Sequence, residues 1–118
     1  MHKILILVVA GSDTHSDLGR IVNAMEIAKE FHEAGDDVAI VFDGAGTTWI
    51  PKLDDPDHRR HELWTSVRGV VAGACSFCSF AFGVKDEVEA SGIPLLDEYD
   101  HHPSVRGWVA KGYQVLTF

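Results

Sequence analysis

Apolar residues along this chain fall into blocks of two kinds. Short uninterrupted apolar runs are typical of strands that are buried on both faces of a parallel sheet. Longer segments, with apolar residues three and four positions apart, are typical of helices that pack on such a sheet. Five strands are predicted, at Ile4–Ala10, Val38–Phe42, Gly69–Ala74, Ile93–Leu96 and Tyr113–Phe118.

Helical patterns fill the intervals between these strands. The predicted helices are Asp17–Ala34, a short one near Trp49–Leu53, another after Pro56, then Ser79–Ala90 and Pro103–Lys111. Regular alternation of strand and helix predicts one α/β domain over residues 1–118, whose parallel sheet has helices on both faces. In open sheets of this kind, ligands bind beyond the carboxyl ends of the strands.

Length and charge narrow the function classes. A chain of 118 residues with 46% hydrophobic content can form a core without disulfides or metals. A net charge of −8 disfavours a nucleic-acid partner. The first apolar run is far shorter than the ~20 residues that span a bilayer, so we interpret it as a strand rather than a signal peptide. We therefore expect a cytoplasmic protein with no membrane partner.

A pair of cysteines, Cys75 and Cys78, lies where the third strand meets its helix. Unpaired N–H groups and the helix dipole at that point favour a thiolate on Cys75, and Cys78 is near enough to resolve a disulfide or persulfide formed there. Burial among three nearby phenylalanines, at positions 77, 80 and 82, would act in the opposite direction and raise the pKa.

Two other interpretations of the cysteines stay open. Free cysteines often serve as small apolar residues that pack in a core. A C-x-x-C pair is also half of a structural zinc site, and the obvious complement is His58 with His61. Those two histidines lie on an acidic segment where they are more often solvated, so we assign no metal ligand.

Several features together resemble the DsrE/DsrF-like family, which includes sulfurtransferase subunits of sulfur oxidisers and the TusD subunit of the tRNA thiolation relay. They are the opening strand and long first helix, Cys75 ending the third strand, Gly83 eight residues later, and the closing segment Gly112–Phe118. The resemblance implies a flavodoxin-like five-stranded parallel sheet and a persulfide carried on Cys75. It also implies a homo-oligomer, trimeric or hexameric, with sulfur donor and acceptor proteins or small persulfides as partners.

Cys78 departs from the TusD pattern, because a second thiol can attack a persulfide on Cys75 and release its sulfur as sulfide. Three hypotheses follow. The first is a sulfurtransferase with Cys75 as nucleophile, and the second is a thiol–disulfide oxidoreductase that uses both cysteines. The third is a non-catalytic module that binds a small ligand or a subunit, in which the cysteines only pack.

Further candidates lie at the predicted strand ends. His102 is placed to exchange a proton with the thiol. Asp43, together with Gly44, could orient a histidine or bind a ligand, or it could form an Asx turn. Gly11, Ser12 and His15 precede the long helix, where a phosphate-bearing substrate could bind. This segment matches no dinucleotide or P-loop motif, so no cofactor is predicted, and flavin mononucleotide stays an alternative. Core or interface positions are predicted for Trp49, Trp64 and Trp108.

Overall fold

Five parallel strands form the sheet at the centre of the computed structural model, which describes residues 1–118. Their spatial order is β4-β3-β2-β1-β5, and every neighbouring pair is parallel. The strands are β1 (Lys3–Val8), β2 (Asp37–Phe42), β3 (Val71–Cys75), β4 (Leu95–Leu96) and β5 (Gln114–Thr117). The predicted single α/β domain with a flavodoxin-like parallel sheet is confirmed.

Six α-helices connect the strands. They are α1 (His15–Glu33), α2 (Trp49–Leu53), α3 (His61–Val67), α4 (Ser76–Ala81), α5 (Lys85–Ser91) and α6 (Val105–Ala110). Two 3-10 segments, Gly44–Thr48 and Arg68–Val70, precede α2 and β3. None of the helices combines the length and the apolar character that crossing a lipid bilayer requires.

The prediction of a single helix over Ser79–Ala90 was wrong in two respects. The helix begins at Ser76, directly after β3, and it ends at Ala81. Gly83 then adopts a φ of 74°, a left-handed conformation that stops the helix before α5 begins at Lys85. Cys78 consequently lies in a helix of six residues.

The two faces of the sheet are covered unequally. From β1 to β4 every crossover steps in the same direction along the sheet, and right-handed connections therefore place α1 to α5 on one face. The path from β4 to β5 runs back to the opposite edge, which places α6 on the other face. The first face holds a core cluster of 17 buried residues, whereas the second holds three, against which Trp108 of α6 packs.

Trp64 anchors the larger core. Its side chain is fully buried and meets Phe42 of β2 edge to face, with ring centroids 5.8 Å apart. Its indole Nε1 donates a hydrogen bond to Asp54 at 3.0 Å, and Arg68 Nε donates to the same carboxylate oxygen at 3.1 Å. Burial raises the pKa of Asp54, but these two hydrogen bonds, together with the electrostatic attraction of Arg68 and His61, outweigh burial and hold that pKa below its ordinary value. The end of α2 is thereby tied to α3.

Candidate functional site

The carboxyl ends of the strands bring four polar side chains together. One follows β2, one ends β3, one lies in α4, and one lies in the loop between β4 and α6. One ligand atom from each lies within 4.8 Å of the others. We call this group the thiol cluster, and its members are Asp43, Cys75, Cys78 and His102. All four are residues that the sequence placed among the site candidates.

Cys75 lies at the centre of the thiol cluster and caps α4. Its Sγ accepts the backbone N–H of Cys78 at 3.3 Å, so the thiol occupies the helix amino end as predicted. His102 Nδ1 lies 3.2 Å from the same sulfur, and the carbonyl of His101 lies 3.9 Å from it. No part of Cys75 is exposed to solvent. The sulfur is therefore buried, but these three groups give it polar contacts.

Burial decides the protonation state of Cys75. It raises the pKa of this thiol to about 12, against the effect of the Cys78 N–H, which lowers it. The Cys78 side chain and the negative charge of Asp43 raise the pKa further. The N–H group at the amino end of α4 therefore lowers the pKa by less than burial raises it, and Cys75 is a neutral thiol at neutral pH in this conformation.

Cys78 and Asp43 form the outer half of the thiol cluster. The Cys78 thiol, 9% exposed, donates to Asp43 Oδ1 at 3.4 Å. The same oxygen accepts the backbone N–H of Gly44 at 2.8 Å, so Asp43 forms the turn that leads from β2 into the 3-10 segment. The turn role that the sequence suggested for Asp43 and Gly44 is confirmed, whereas the side-chain partner of this carboxylate is the Cys78 thiol and not a histidine.

A tight turn covers Cys75. Tyr99 and His102 exchange both backbone hydrogen bonds, at 2.9 and 2.7 Å, and enclose a two-residue loop. Asp100 and His101 in this loop have φ values of 49° and 67°. Positive φ at both positions defines the turn that normally favours Asn-Gly or Asp-Gly. Asp100 suits the first position, whereas His101 stands where glycine is preferred and is strained there. The cover over the sulfur is therefore a strained segment.

We expect His101→Gly to stabilise this turn. The change would give the Asp-Gly pair that such turns favour, and relief of strain minus the extra chain entropy of glycine leaves a gain of about 1 kcal/mol. In the Cys78→Ser background, alkylation of Cys75 in the native protein should slow by about fivefold. Denaturant unfolding and timed alkylation measure the two effects. His101→Ala, which keeps the strain, is the control, and equal stabilisation by alanine would contradict the explanation.

The three phenylalanines near the cysteines, whose burial the sequence left open, are largely exposed. Phe77, Phe80 and Phe82 are 51%, 72% and 48% exposed. Phe77 packs against the His102 ring, with centroids 5.1 Å apart, while its backbone N–H bonds to the His101 carbonyl at 2.9 Å. Phe77 thus presents an exposed apolar ring beside the thiol cluster, and the Tyr99–His102 turn is the cover that the sequence did not reveal.

The residues predicted to bind a substrate before the first helix form a separate feature. Ser12 and His15 line a cleft of about 420 Å³ with Trp49 and Lys52. Ser12 Oγ bonds to Thr48 Oγ1 at 2.9 Å and to Lys52 Nζ at 2.7 Å, and neither contact reaches the thiol cluster. Gly11 packs close to this region, since a Cβ there would lie 3.2 Å from the Cβ of Ala45.

The histidine pair considered as a zinc complement has other partners. His58 Nδ1 accepts the backbone N–H of Arg60 at 3.0 Å. His61 Nδ1 lies 2.7 Å from the carbonyl oxygen of Leu53. Neither histidine belongs to the thiol cluster, so any complement to the cysteines comes from Asp43 and His102 instead.

Fold and site together define this chain as a flavodoxin-like α/β domain with two thiols, an imidazole and a carboxylate at the carboxyl edge of its sheet. No protein-family model matches the chain. It is similar to uncharacterized protein MJ0733 of Methanocaldococcus jannaschii, with 24% identity over 96 residues that cover 81% of this chain and 78% of that protein.

A solved structure shares the fold. It is the conserved protein of unknown function BT1422 from Bacteroides thetaiotaomicron, which superposes with a TM-score of 0.63 at 16% identity. The superposition covers 97% of this chain and 94% of that chain. The likeness extends the fold assignment over nearly the whole length of the domain.

Proposed function

We propose that this protein carries sulfane sulfur as a persulfide on Cys75. The observation that carries the proposal is the pair of contacts on the Cys75 sulfur, namely the Cys78 N–H at 3.3 Å and His102 Nδ1 at 3.2 Å. A proton acceptor beside the thiol and an N–H donor directed at its sulfur are what a thiol needs to become a nucleophile.

The transfer step balances without an oxidant. The Cys75 proton passes to His102 Nδ1 as the sulfur attacks the outer sulfur of a donor persulfide. The new S–S bond forms on Cys75, the donor S–S bond breaks, and its electron pair leaves with the donor thiolate, which takes up a proton. An acceptor thiol then removes the outer sulfur from Cys75 by the same exchange.

The buried state of Cys75 requires that the cover moves first. The Tyr99–His102 turn is strained at His101, which lowers the cost of displacing it. Phe77 of α4, which is 51% exposed, lies next to it and offers an apolar contact to a donor or acceptor protein. In this proposal a partner that contacts Phe77 opens the turn, and the protein acts in the cytoplasm as a homo-oligomer, a trimer or hexamer, as the DsrE/DsrF-like resemblance implies.

Thiol–disulfide exchange is the second candidate function. The two sulfurs lie within 4.8 Å of each other, so closing a Cys75–Cys78 disulfide needs only a local adjustment. Attack of Cys78 on the inner sulfur of a Cys75 persulfide would form this disulfide and expel sulfide. The same pair can therefore either hold sulfur or release it.

In the test, the protein is reduced and treated with a chelator to remove any metal ion. It is then exposed to an inorganic polysulfide, and peptide mass spectrometry locates the retained sulfur. We expect one extra sulfur atom on Cys75, more of it in Cys78→Ser because internal release is blocked, and none in Cys75→Ser. His102→Gln should slow loading by about 100-fold, whereas His101→Gln, which keeps the backbone carbonyl, should load normally.

Other outcomes overturn the proposal. A reversible internal disulfide in the wild type, together with no retained sulfur in either the wild type or Cys78→Ser, would favour the oxidoreductase. Thiols that resist both polysulfide and alkylation until the protein unfolds would show that they only pack.

A further inference from the structure

The thiol cluster presents the donor types that a zinc-class cation prefers. Thiolate, imidazole and carboxylate are the common protein ligands of Zn²⁺, and four of them make a closed tetrahedral site. Here two sulfurs, one ring nitrogen and one carboxylate oxygen come from three separate chain segments. The strand ends bring them together through the fold, and the C-x-x-C motif supplies only half of the set.

The distances match a slightly expanded tetrahedron. Zinc bonds of about 2.0–2.3 Å place tetrahedral ligand atoms about 3.3–3.8 Å apart. The Cys75 Sγ to His102 Nδ1 distance is 3.2 Å, and the Cys78 Sγ to Asp43 Oδ1 distance is 3.4 Å. The other ligand-atom pairs lie within 4.8 Å. A contraction of at most about 1–1.5 Å, depending on the ligand pair, therefore closes the site, which side-chain rotation can supply.

Backbone groups already hold two of the four donors. The Gly44 N–H fixes one oxygen of Asp43 at 2.8 Å, and the Cys78 N–H bonds to the sulfur of Cys75 at 3.3 Å. Outer hydrogen bonds of this kind orient metal ligands and are part of most metal sites. Cys75 is fully buried, whereas Cys78 is 9% exposed and Asp43 and His102 are partly buried, so an ion would enter from the side that these three residues form.

We propose that Asp43, Cys75, Cys78 and His102 bind one zinc-class divalent cation. Binding forms two metal–sulfur bonds, one metal–nitrogen bond and one metal–oxygen bond, and it releases the two thiol protons to solvent. With four protein ligands the ion has no open position, so it holds the sheet edge together and does not act on a substrate. This inference goes beyond the proposed sulfur transfer and does not rest on it.

One consequence links the two proposals. An ion that holds both sulfurs keeps Cys75 from attacking a persulfide, so metal loading and sulfur loading exclude each other. The metal-bound form is then a protected state of the thiols. Sulfur transfer requires the metal-free form, which is why the polysulfide experiment above uses it.

The test titrates the reduced, chelator-treated protein with Co²⁺, whose absorption reports both thiolate ligation and tetrahedral geometry. We expect saturation at one ion per chain, an intense sulfur-to-cobalt band, and displacement of Co²⁺ by Zn²⁺. Cys75→Ser, Cys78→Ser and His102→Gln should each weaken binding by at least about 100-fold, and Asp43→Asn by at least about tenfold. His58→Gln with His61→Gln is the matched control and should bind normally.

A measurement on the unaltered protein guards against variants that fail to fold. Zn²⁺ should slow alkylation of Cys78 in the wild type, and a chelator should restore the original rate. Absence of the sulfur-to-cobalt band, or unchanged alkylation with Zn²⁺, would overturn the metal site. Normal cobalt binding with no sulfur loading of the metal-free protein would overturn only the sulfur-transfer proposal, and the reverse result would overturn only the metal proposal.

Discussion

Gly46→Ala is expected to destabilise the protein by about 3 kcal/mol or more, since it forces extra volume into a closely packed site. A methyl group there would lie 2.2 Å from the carbonyl oxygen of Val8 and 2.8 Å from its carbonyl carbon. That carbonyl belongs to β1 and accepts the backbone N–H of Asp43 at 2.8 Å. No flexible side chain can move aside, so either the 3-10 segment or β1 itself must shift.

The same change should disturb the thiol cluster. The Gly46 N–H donates to the Asp43 carbonyl at 2.9 Å, so displacing the segment moves the carboxylate that meets Cys78. Urea unfolding measures the loss of stability, and the rate of Cys78 alkylation in native buffer reports the local change. Gly19→Ala is the control, because a Cβ at this exposed position of α1 meets nothing within 4 Å.

Gly19→Ala should increase the free energy of unfolding by about 0.5–1 kcal/mol, since alanine favours helix over glycine. If Gly46→Ala lost less than about 1 kcal/mol relative to wild type, the close approach of the 3-10 segment to β1 would be contradicted.

Trp64→Ala is expected to cost about 3–5 kcal/mol of unfolding free energy. The indole is fully buried, packs edge to face on Phe42, and donates to Asp54. Its removal leaves a cavity in the larger core cluster and also leaves the Asp54 carboxylate with one donor fewer. For a domain whose total stability is of the order of 5–15 kcal/mol, such a loss brings the native state close to unfolding at ordinary temperature.

Two comparison variants separate the contributions at this position. Trp64→Phe keeps an aromatic ring but loses the hydrogen bond, so its cost should fall between those of wild type and Trp64→Ala. Trp108→Ala, on the thinly covered face, should cost clearly less, because that side chain is only partly buried. Thermal and urea unfolding measure all three. A loss in Trp64→Ala no greater than in Trp108→Ala would show that the larger cluster is not the main source of stability.

The fold could be predicted because its signals are local and repeated. Runs such as Val38–Phe42 are apolar throughout, and β2 occupies Asp37–Phe42. Single residues limited how accurately the helix boundaries could be predicted. Gly83 divides one expected helix into α4 and α5, and its effect depends on a backbone conformation that helical spacing does not report. Trp49 and Trp64 are core residues as predicted, with 3% and 0% of their surface exposed.

The membership of the thiol cluster followed from the same logic, since residues that end parallel strands meet at one edge. Its accessibility could not be predicted. Whether Cys75 is exposed depends on the Tyr99–His102 turn, in which two residues other than glycine adopt positive φ. Asp100 fits the first position of such a loop, but His101 stands where glycine is expected, so the pair is not recognised from its sequence. The exposure of Phe80 was equally hidden, because apolar character alone predicts burial.

The position of β5 beside β1 has a consequence for synthesis. Residues 114–117 leave the ribosome after β1 to β4, yet they pair with the first of these strands through Ile4 to Leu7. Until then, β1 is an edge strand with free N–H and C=O groups along one side, and such edges invite pairing between chains. The open edge of β1 therefore invites aggregation after β1 to β4 have assembled, and pairing with β5 ends that interval.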